Sequence, residues 1–335
     1  MKKQANKKLM EQVQIFLKKR GQKAFEIAKK TILQEKNMNT NVYKALRYFM
    51  EECWYDVQHP ALISLTCEAV GGNPEKTSEI GAAIVLLAGA ADIHDDIIDE
   101  SKTKNSKPTV FGKFNKDIAL LAGDALLFEG LVLLHKACKK FPEKIGTTIL
   151  KLTKEAFFDL GRATAKERNF KGKYDLEPKE YCNIIKIKAA IAEACAKIGA
   201  VIGGGESEAI DALGNYGRTL GILMTLRDEF IDLFEPEEIK NRAKNEILPL
   251  PLLYALQNET KKNEILSLIK KKRITEQKAQ ELIDLVTKAD EVQKLKKEMQ
   301  TLIKTGEKEI FRIIKKTKNK KLFNLLLQSS TEDLP

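Results

Sequence analysis

The chain has 335 residues, 43% of them hydrophobic, and a formal net charge of +11. This length and composition allow one large domain with a sizeable core and do not require a second domain. The basic residues are spread along predicted helices without interleaved aromatic residues, which argues against nucleic-acid binding and favours a mild attraction to diphosphates or lipid headgroups.

Targeting signals and cysteine usage indicate a soluble protein. The N-terminus lacks the apolar core of a signal peptide, and the most apolar run, residues 118–134, is interrupted by Asp124 and Glu129. We therefore expect a cytoplasmic protein without a transmembrane segment, free to contact a membrane peripherally. The cysteines are odd in number, widely spaced and without metal-ligand spacing, which predicts free thiols: Cys53, Cys67, Cys138, Cys182 and Cys195.

The first predicted elements are helices. Apolar residues recur at three- and four-residue steps over residues 5–35, which predicts an amphipathic helix pair that covers the core. A second helix is predicted over residues 42–55, and a turn at residues 71–74 leads into a long apolar helix over residues 76–100.

That long helix ends in an acidic cluster. In a helix, Asp95 and Asp99 point the same way, with Asp92 just above them. Carboxylates on one helical face repel one another, and a hard divalent cation removes that repulsion. Mg²⁺ is the usual cation when its remaining ligands are substrate phosphates and water.

The second half of the chain contains a similar arrangement. Helices are predicted over residues 118–139, 146–170 and 179–203, and a helix over residues 207–234 carries Asp228, Glu229 and Asp232. Two such clusters on separate helices could face each other and hold metal ions between them.

The C-terminal part completes an all-α, single-domain prediction. Two or three lysine-rich amphipathic helices are predicted over residues 261–327. The domain then covers residues 1–328, and residues 329–335 are expected to form a disordered tail.

Several motifs occur in a specific order. They are Asp95-Asp96-Ile97-Ile98-Asp99, Lys107-Pro108-Thr109, Ala122-Gly123-Asp124-Ala125-Leu126-Leu127, Tyr216-Gly217-Arg218, Leu220-Gly221 and Asp228. This set resembles the trans-isoprenyl diphosphate synthases, also called polyprenyl synthetases. The resemblance implies an isoprenoid synthase helical bundle around a central cavity, in which Mg²⁺ ions on two aspartate-rich motifs hold a prenyl diphosphate substrate.

The resemblance also implies roles for individual residues. Metal ions would be held by Asp95, Asp96, Asp99, Asp228, Glu229 and Asp232. Lys188 would stabilise the charge of the leaving diphosphate, so that Asp95, Asp99, Lys188 and Asp228 form the catalytic set. Further contacts to the substrate diphosphate would come from Lys104, Lys107 and Lys244.

Small residues before the first acidic motif imply a deep hydrocarbon tunnel. In the family this helix wall lines the tunnel, here Ile84, Leu87, Ala90 and Ala91, and a bulky residue at position 90 or 91 would stop chain growth early. Alanines there imply an allylic substrate of the C15–C20 class or longer. The alternative is that alanine is simply a good helix former.

The largest departure from the family lies at the acceptor site. Residues 54–60 stand where the family has Gly-Gly-Lys-Arg-x-Arg-Pro, and Asp56, Val57 and His59 replace the three basic residues. A carboxylate in that place repels the diphosphate of isopentenyl diphosphate. His59 either donates to a phosphate when protonated or is an ordinary loop-end histidine. Lys104 and Asn105 likewise replace two adjacent arginines.

These features leave three functional hypotheses. The first is a prenyltransferase with an altered acceptor site, as a homodimer or as one subunit of a heteromer with a related synthase. The second is a terpene-synthase-like lyase or cyclase, although the metal motif typical of terpene synthases is absent around Asp228. The third is a non-catalytic regulatory subunit of an active synthase.

Overall fold

The computed structural model describes residues 2–34, 40–104, 106–270, 276–314, 317–331 and 334. In these ranges the regular structure is helical apart from one pair of two-residue strands, which confirms the all-α prediction. The helices of the first half are α1 Lys2–Leu33, α2 Thr40–Tyr48, α3 Gln58–Ala69, α4 Ser78–Ile98, α5 Val110–Phe114, α6 Lys116–Cys138 and α7 Glu143–Arg168. A π-helical turn, Phe49–Cys53, extends α2.

The second half continues with helices of varied length. They are α8 Pro178–Lys188, α9 Ala190–Ile202, α10 Ser207–Ile231, α11 Pro236–Asn245, α12 Leu250–Ala255, α13 Glu259–Ile269, α14 Glu276–Thr287, α15 Asp290–Ile313 and α16 Thr317–Ser329. The strands β1 Thr103–Lys104 and β2 Lys107–Pro108 pair antiparallel between α4 and α5.

Several predicted boundaries differ from the structure. The predicted helix pair over residues 5–35 is one continuous helix, α1, and the helix predicted over residues 179–203 is interrupted at Ala189. Four helices, α13 to α16, follow residue 258 in the described ranges instead of two or three. Ser329 and Ser330 are buried, and their hydroxyls donate to the carbonyls of Leu326 and Leu327, so the packed chain extends past residue 328. Residues 332, 333 and 335 of the expected tail lie outside the described residues.

Helix α4 organises the core because both of its faces are apolar. Ile80, Ile84 and Leu87 belong to one hydrophobic cluster, which also contains buried residues of α3, α9 and α10. Val85 and Ile93 belong to a second cluster, formed with α1, α2 and α6. A helix that is hydrophobic all round lies at the centre of a larger protein, and α4 therefore joins the two clusters into one packed body.

Close packing around α9 depends on glycine. A Cβ atom on Gly199 would lie 2.0 Å from Thr66 Oγ1 and 2.1 Å from the carbonyl oxygen of Ile63, both on α3. On the other side of α9, a Cβ atom on Gly217 of α10 would lie 2.5 Å from the carbonyl oxygen of Ala192. Side chains at either position would force the three helices apart.

We expect Gly199→Ala to lower the free energy of unfolding by about 1–3 kcal/mol or more, because the added methyl group overpacks the α3–α9 contact. The matched control is Gly161→Ala on α7, where a Cβ atom would meet nothing within 4 Å. That change should raise stability by about 0.5–1 kcal/mol through helix propensity. Urea unfolding of the two variants measures both; equal stabilities would contradict the packing described for α9.

Candidate active site

Two cavities meet at the C-terminal end of α4. The smaller, which we call the mouth cavity, has a volume of about 160 Å³ and is lined by Asp95, Asp99, Lys188, Glu229 and other polar residues. The larger, the deep cavity, has a volume of about 1430 Å³. Asp95, Arg168, Lys188 and Asn245 line both cavities. Residues of the two acidic motifs are therefore brought together at one opening.

The wall of the deep cavity is mostly apolar. Ile84, Ala90 and Ala91 line it as expected from the sequence, opposite residues of α7 and α9 such as Leu160 and Ile198. Leu87 is not among the lining residues. Its side chain is buried and instead packs against Gly130 of α6, where an added Cβ atom would lie 2.8 Å from a Leu87 methyl group.

The first acidic motif carries more negative charge than its surroundings balance. Burial and repulsion from Asp92 raise the pKa of Asp96 to about 8, and burial and repulsion from Asp95 raise the pKa of Asp99 to about 7. Asp95 and Asp99 face the mouth cavity, whereas Asp96 is buried and lines neither cavity. A divalent cation next to Asp95 and Asp99 would relieve this repulsion.

Lys188 is held at the same opening by an ion pair. It is the last residue of α8, where the chain breaks before α9, and its Nζ lies 2.7 Å from a carboxylate oxygen of Glu167 on α7. Burial opposes its charge, but the Glu167 and Asp95 carboxylates outweigh burial and raise the pKa of Lys188. The lysine is therefore a fixed cation facing the mouth cavity.

The second acidic motif already contains a cation. Arg242, on α11, is 4% exposed, and its Nη2 donates to Glu229 at 2.9 and 3.0 Å, while its Nη1 donates to Asp232. Glu229 also accepts hydrogen bonds from the Tyr181 hydroxyl and from the backbone N–H of Leu250, both at 2.7 Å. The hydrogen-bond donors to Glu229 and Asp232 therefore come from the protein itself.

This arrangement argues against the prediction that Glu229 and Asp232 bind metal. Their charge is balanced by a buried guanidinium, which is always charged and is suited to bind carboxylates. Asp228 makes no contact with Arg242 among the described hydrogen bonds and ion pairs, and burial raises its pKa to about 6. Asp228 therefore remains the available carboxylate of the second motif, although it lines neither cavity.

The other predicted diphosphate-binding lysines have different positions. Lys104, on β1, pairs with Asp92 at 2.6 Å. Burial raises the pKa of both Asp96 and Asp228, and the Lys104 charge opposes part of that rise, so the two acidic motifs lie within electrostatic reach of one lysine. Lys107 lies on β2 and donates to the carbonyl oxygen of Glu52 at 3.1 Å, away from both cavities. Lys244 lines the deep cavity. Asn105 lies outside the described residues.

The acceptor region of the family contains a helix cap in this chain. Asp56 is 6% exposed, and its Oδ1 accepts the backbone N–H groups of Gln58 and His59 at the start of α3, at 3.0 and 3.2 Å. Its Oδ2 lies 2.7 Å from Nδ1 of His59. Backbone donors at a helix N-terminus can bind an anion, and here the protein's own carboxylate occupies them.

Sequence reasoning missed several residues of the mouth. Arg242, Tyr181 and Glu246 line the mouth cavity, and burial raises the pKa of Glu246 to about 8. Arg168 of α7 also lines it and donates to the carbonyl oxygens of Ile98 and Asn245, which ties α4 to α11. No local pattern marks these residues, because their partners are distant in sequence.

The carboxylates of the first motif fit Mg²⁺. No three carboxylate, imidazole or thiolate groups converge into a complete metal site in the described residues. Mg²⁺ is commonly bound through one or two carboxylates, with substrate phosphates and water as its other ligands. Asp95 and Asp99 line an adjoining cavity, and the pKa of Asp99 is raised, so the two carboxylates meet that description.

We expect Arg242→Met to lower the free energy of unfolding by about 3–5 kcal/mol at neutral pH, because removing one partner leaves buried charge unpaired. The triple variant Arg242→Met/Glu229→Gln/Asp232→Asn should recover most of that loss. Arg162→Met, at an exposed position of α7, is the control. Denaturant unfolding checks the set, and an unchanged stability in the single variant would contradict the ion-pair assignment.

Comparisons with known proteins agree with this geometry. A family model described as polyprenyl synthetase matches residues 58–286. A short chain isoprenyl diphosphate synthase from Methanothermobacter thermautotrophicus is 31% identical over 183 residues, which cover 53% of this chain and 54% of that protein. A geranylgeranyl diphosphate synthase from Methanosarcina mazei is 29% identical over 210 residues, covering 61% of this chain and 62% of that protein. These alignments thus span between half and two thirds of the curated relatives.

Solved structures extend the likeness over nearly the whole chain. A geranylgeranyl pyrophosphate synthetase from Pyrococcus horikoshii superposes with a TM-score of 0.84 at 26% identity, covering 96% of this chain and 99% of that one. A structure from Geoglobus acetivorans, at 20% identity and a TM-score of 0.80, shares the fold. Because the family model matches more than half of its residues, this chain belongs to the polyprenyl synthetase family.

Proposed function

We propose that this chain is a Mg²⁺-dependent prenyltransferase that ionises an allylic prenyl diphosphate of the C15–C20 class or longer and transfers the prenyl group to an acceptor. The observation that carries the proposal is the shared opening of the two cavities. There, Asp95 and Lys188 line both the polar mouth cavity and the mostly apolar deep cavity. A prenyl diphosphate needs both, because one end of it is charged and the other is a hydrocarbon. Relatives named as geranylgeranyl diphosphate synthases support the substrate class.

The polar residues at the opening suit the diphosphate end. Asp95 and Asp99 would hold Mg²⁺, which as a Lewis acid neutralises charge on a phosphate leaving group when it is bound. Lys188 adds a protein cation whose position is fixed by Glu167. Arg168 lines both cavities and Lys244 lines the deep cavity, and both supply further positive charge. The side chains thereby stabilise charge that develops on the diphosphate as the carbon–oxygen bond breaks.

The deep cavity suits the hydrocarbon end. Ala90 and Ala91 keep its upper part open, and from Asp95 to Ile84 the α4 wall extends about 16 Å at the helical rise per residue. Its volume of about 1430 Å³ exceeds that of an ordinary small-molecule pocket. An apolar wall also keeps water away from an allylic cation.

A lyase is the second candidate. The specific observation that favours it is the Asp56 cap, which leaves the usual position of the acceptor diphosphate without a cation. Without a bound acceptor, an allylic cation would cyclise or lose a proton. A transferase yields a product that contains the acceptor, whereas a lyase releases a hydrocarbon.

An exposed apolar face supports association with a second, related subunit. Large apolar side chains are exposed along one side of α6 and on the adjacent α7: Leu120, Leu121, Phe128, Leu131, Val132, Leu150 and Phe158. We call these residues the apolar face. Among the described helices, α6 alone is long and apolar enough to meet the composition test for a membrane span, but its opposite side is part of the core. We propose that a second copy of this chain, or a related synthase subunit, covers the face.

The cysteines support a reducing compartment such as the cytoplasm. All five are free thiols, and Cys67, Cys138 and Cys195 are buried. Buried unpaired thiols are usual in the cytoplasm and rare in secreted proteins.

The enzymatic proposal predicts metal-dependent release of pyrophosphate. Purified full-length protein, given Mg²⁺ and geranylgeranyl diphosphate, should release pyrophosphate, and excess EDTA should abolish the release. Asp95→Ala should lower the rate at least about 100-fold, because the developing charge loses its main stabiliser. Asp211→Ala, an exposed carboxylate on α10, is the matched control and should leave the rate unchanged.

The products of the same assay separate the candidates. A product that contains the acceptor supports the transferase, and a hydrocarbon formed without an acceptor supports the lyase. No release by the chain alone, but release after a related synthase is added, supports a heteromer or a regulatory subunit. Full activity of Asp95→Ala would contradict the assignment of the metal ligands.

The apolar face predicts a dimer. Phe128 and Phe158 are 70% and 71% exposed, and Phe128→Glu/Phe158→Glu should convert a dimer into a monomer because charge in a buried interface is costly. Phe311→Glu, an exposed aromatic residue on α15, is the control and should keep the dimer. Analytical ultracentrifugation measures the mass; a monomeric unsubstituted protein would contradict the homodimer.

A further inference from the structure

Residues 54–60 lie against α4 below the first acidic motif. The indole Nε1 of Trp54 lies 3.3 Å from where a Cβ atom on Gly89 would be. Gly89 precedes Asp95 by six residues, so Trp54 is about 9 Å below that carboxylate along the helix axis. Trp54 and His59 both line the deep cavity. The segment therefore lies beneath the place where the diphosphate would bind.

Asp56 and His59 form an oriented pair in this segment. Because a carboxylate only accepts hydrogen bonds, the 2.7 Å contact places the proton on Nδ1 of His59, which donates to Asp56 Oδ2. Nε2 is then an acceptor with a lone pair in the neutral ring. No described residue forms a hydrogen bond to Nε2, and the side chain is 29% exposed on the cavity wall.

The charge around this pair disfavours an anionic acceptor. Asp56 already accepts the backbone N–H groups that begin α3, and positions 54–60 contain no lysine or arginine. The facing residues of α4, from Gly81 to Ala88, are all glycine or apolar. A diphosphate placed here would face a carboxylate and lack a partner cation.

Trp54 offers a donor in the same segment. Its ring stacks on Phe49, with centroids 5.5 Å apart, and its buried Nε1 has no hydrogen-bond partner in the described residues. Together with Nε2 of His59, the segment presents one unpaired donor and one unpaired acceptor. An uncharged O–H group has the complementary acceptor and donor.

We propose that His59, oriented by Asp56, is the proton acceptor of the deep cavity, and that the molecule which captures the allylic cation is an uncharged hydroxyl compound, an alcohol or water. The proposal rests on the proposed function, because it needs the prenyl diphosphate to ionise in this site. It assigns the acceptor class that the family-like motifs leave open.

The bond between prenyl C1 and the diphosphate oxygen breaks, and both electrons leave with pyrophosphate. A lone pair of the hydroxyl oxygen forms a new bond to the allylic carbon, and the hydroxyl proton passes to Nε2 of His59. The products are a prenyl ether or prenyl alcohol, pyrophosphate and a protonated His59, which returns its proton to solvent.

The Asp56 carboxylate should influence how the reaction rate falls at low pH. Burial opposes the charge of His59, but the Asp56 carboxylate outweighs it and raises the pKa of His59. Cys195 of α9 also interacts electrostatically with the pair, through the Asp56 carboxylate. A protonated His59 cannot accept a proton, so the rate should fall as the pH drops below the raised pKa.

The test compares His59→Gln with His135→Gln, an exposed histidine on α6 that lines neither cavity. Full-length protein receives Mg²⁺ and geranylgeranyl diphosphate in water enriched in ¹⁸O, with or without glycerol, and products are identified by mass spectrometry. We expect a geranylgeranyl glyceryl ether, or an alcohol that carries ¹⁸O. His59→Gln should lower kcat at least about 100-fold with an unchanged KM for the diphosphate, and His135→Gln should change neither.

A second variant separates catalysis from folding. Asp56→Asn keeps an oxygen to cap α3 but removes the charge, so the pKa of His59 should fall and the acid limb of the rate should move to lower pH. A merely structural role would leave that limb in place. Pyrophosphate release that is unchanged in His59→Gln, an elongated diphosphate formed when isopentenyl diphosphate is added to the same assay, or a hydrocarbon product would each overturn the inference while leaving ionisation intact. No pyrophosphate release, either by the chain alone or after a related synthase is added, would overturn the proposed function as well.

Discussion

The repulsion between carboxylates at the end of α4 is the constraint on which the proposed activity depends. Asp95 and Asp99 lie one helical turn apart at the opening of an apolar cavity, and burial with mutual repulsion raises the pKa of Asp99 to about 7. A protein without a bound cation keeps such a cluster at a cost in stability. The cost is explained if the cluster binds cations together with an anionic substrate, whose hydrocarbon the cavity below can hold.

The two acidic motifs, similar in sequence, differ in their physical state. The first faces the mouth cavity with unbalanced charge, whereas the second is largely neutralised by Arg242, which donates to Glu229 and Asp232. The guanidinium is always charged and is part of the chain, so it stabilises these carboxylates without the binding of a metal ion. Two carboxylates of the second motif are held in an ion pair with Arg242.

Local patterns in the sequence predicted the helices and the first motif but not the partners of the second. The apolar periodicity of α4 and the spacing of Asp95 and Asp99 depend on residues close together in sequence, and the all-α prediction is confirmed. The pairing of Arg242 with Glu229 and Tyr181 joins residues 13 and 61 positions apart. Such contacts depend on how helices pack, so the spacing alone cannot predict which of the six proposed metal ligands pair with an arginine. The break at Ala189 could not be predicted either, because no residue in that stretch marks the end of a helix.

Calorimetry with a non-ionisable substrate analogue tests the central claim most directly. Geranylgeranyl thiolodiphosphate is titrated into the full-length protein in Mg²⁺ and, separately, in EDTA, and the same is done with Asp95→Asn/Asp99→Asn. If the first acidic motif holds metal ions that bind the diphosphate above the deep cavity, binding will require Mg²⁺ and both carboxylates. Equal affinity in EDTA, or in the double variant, would contradict the account.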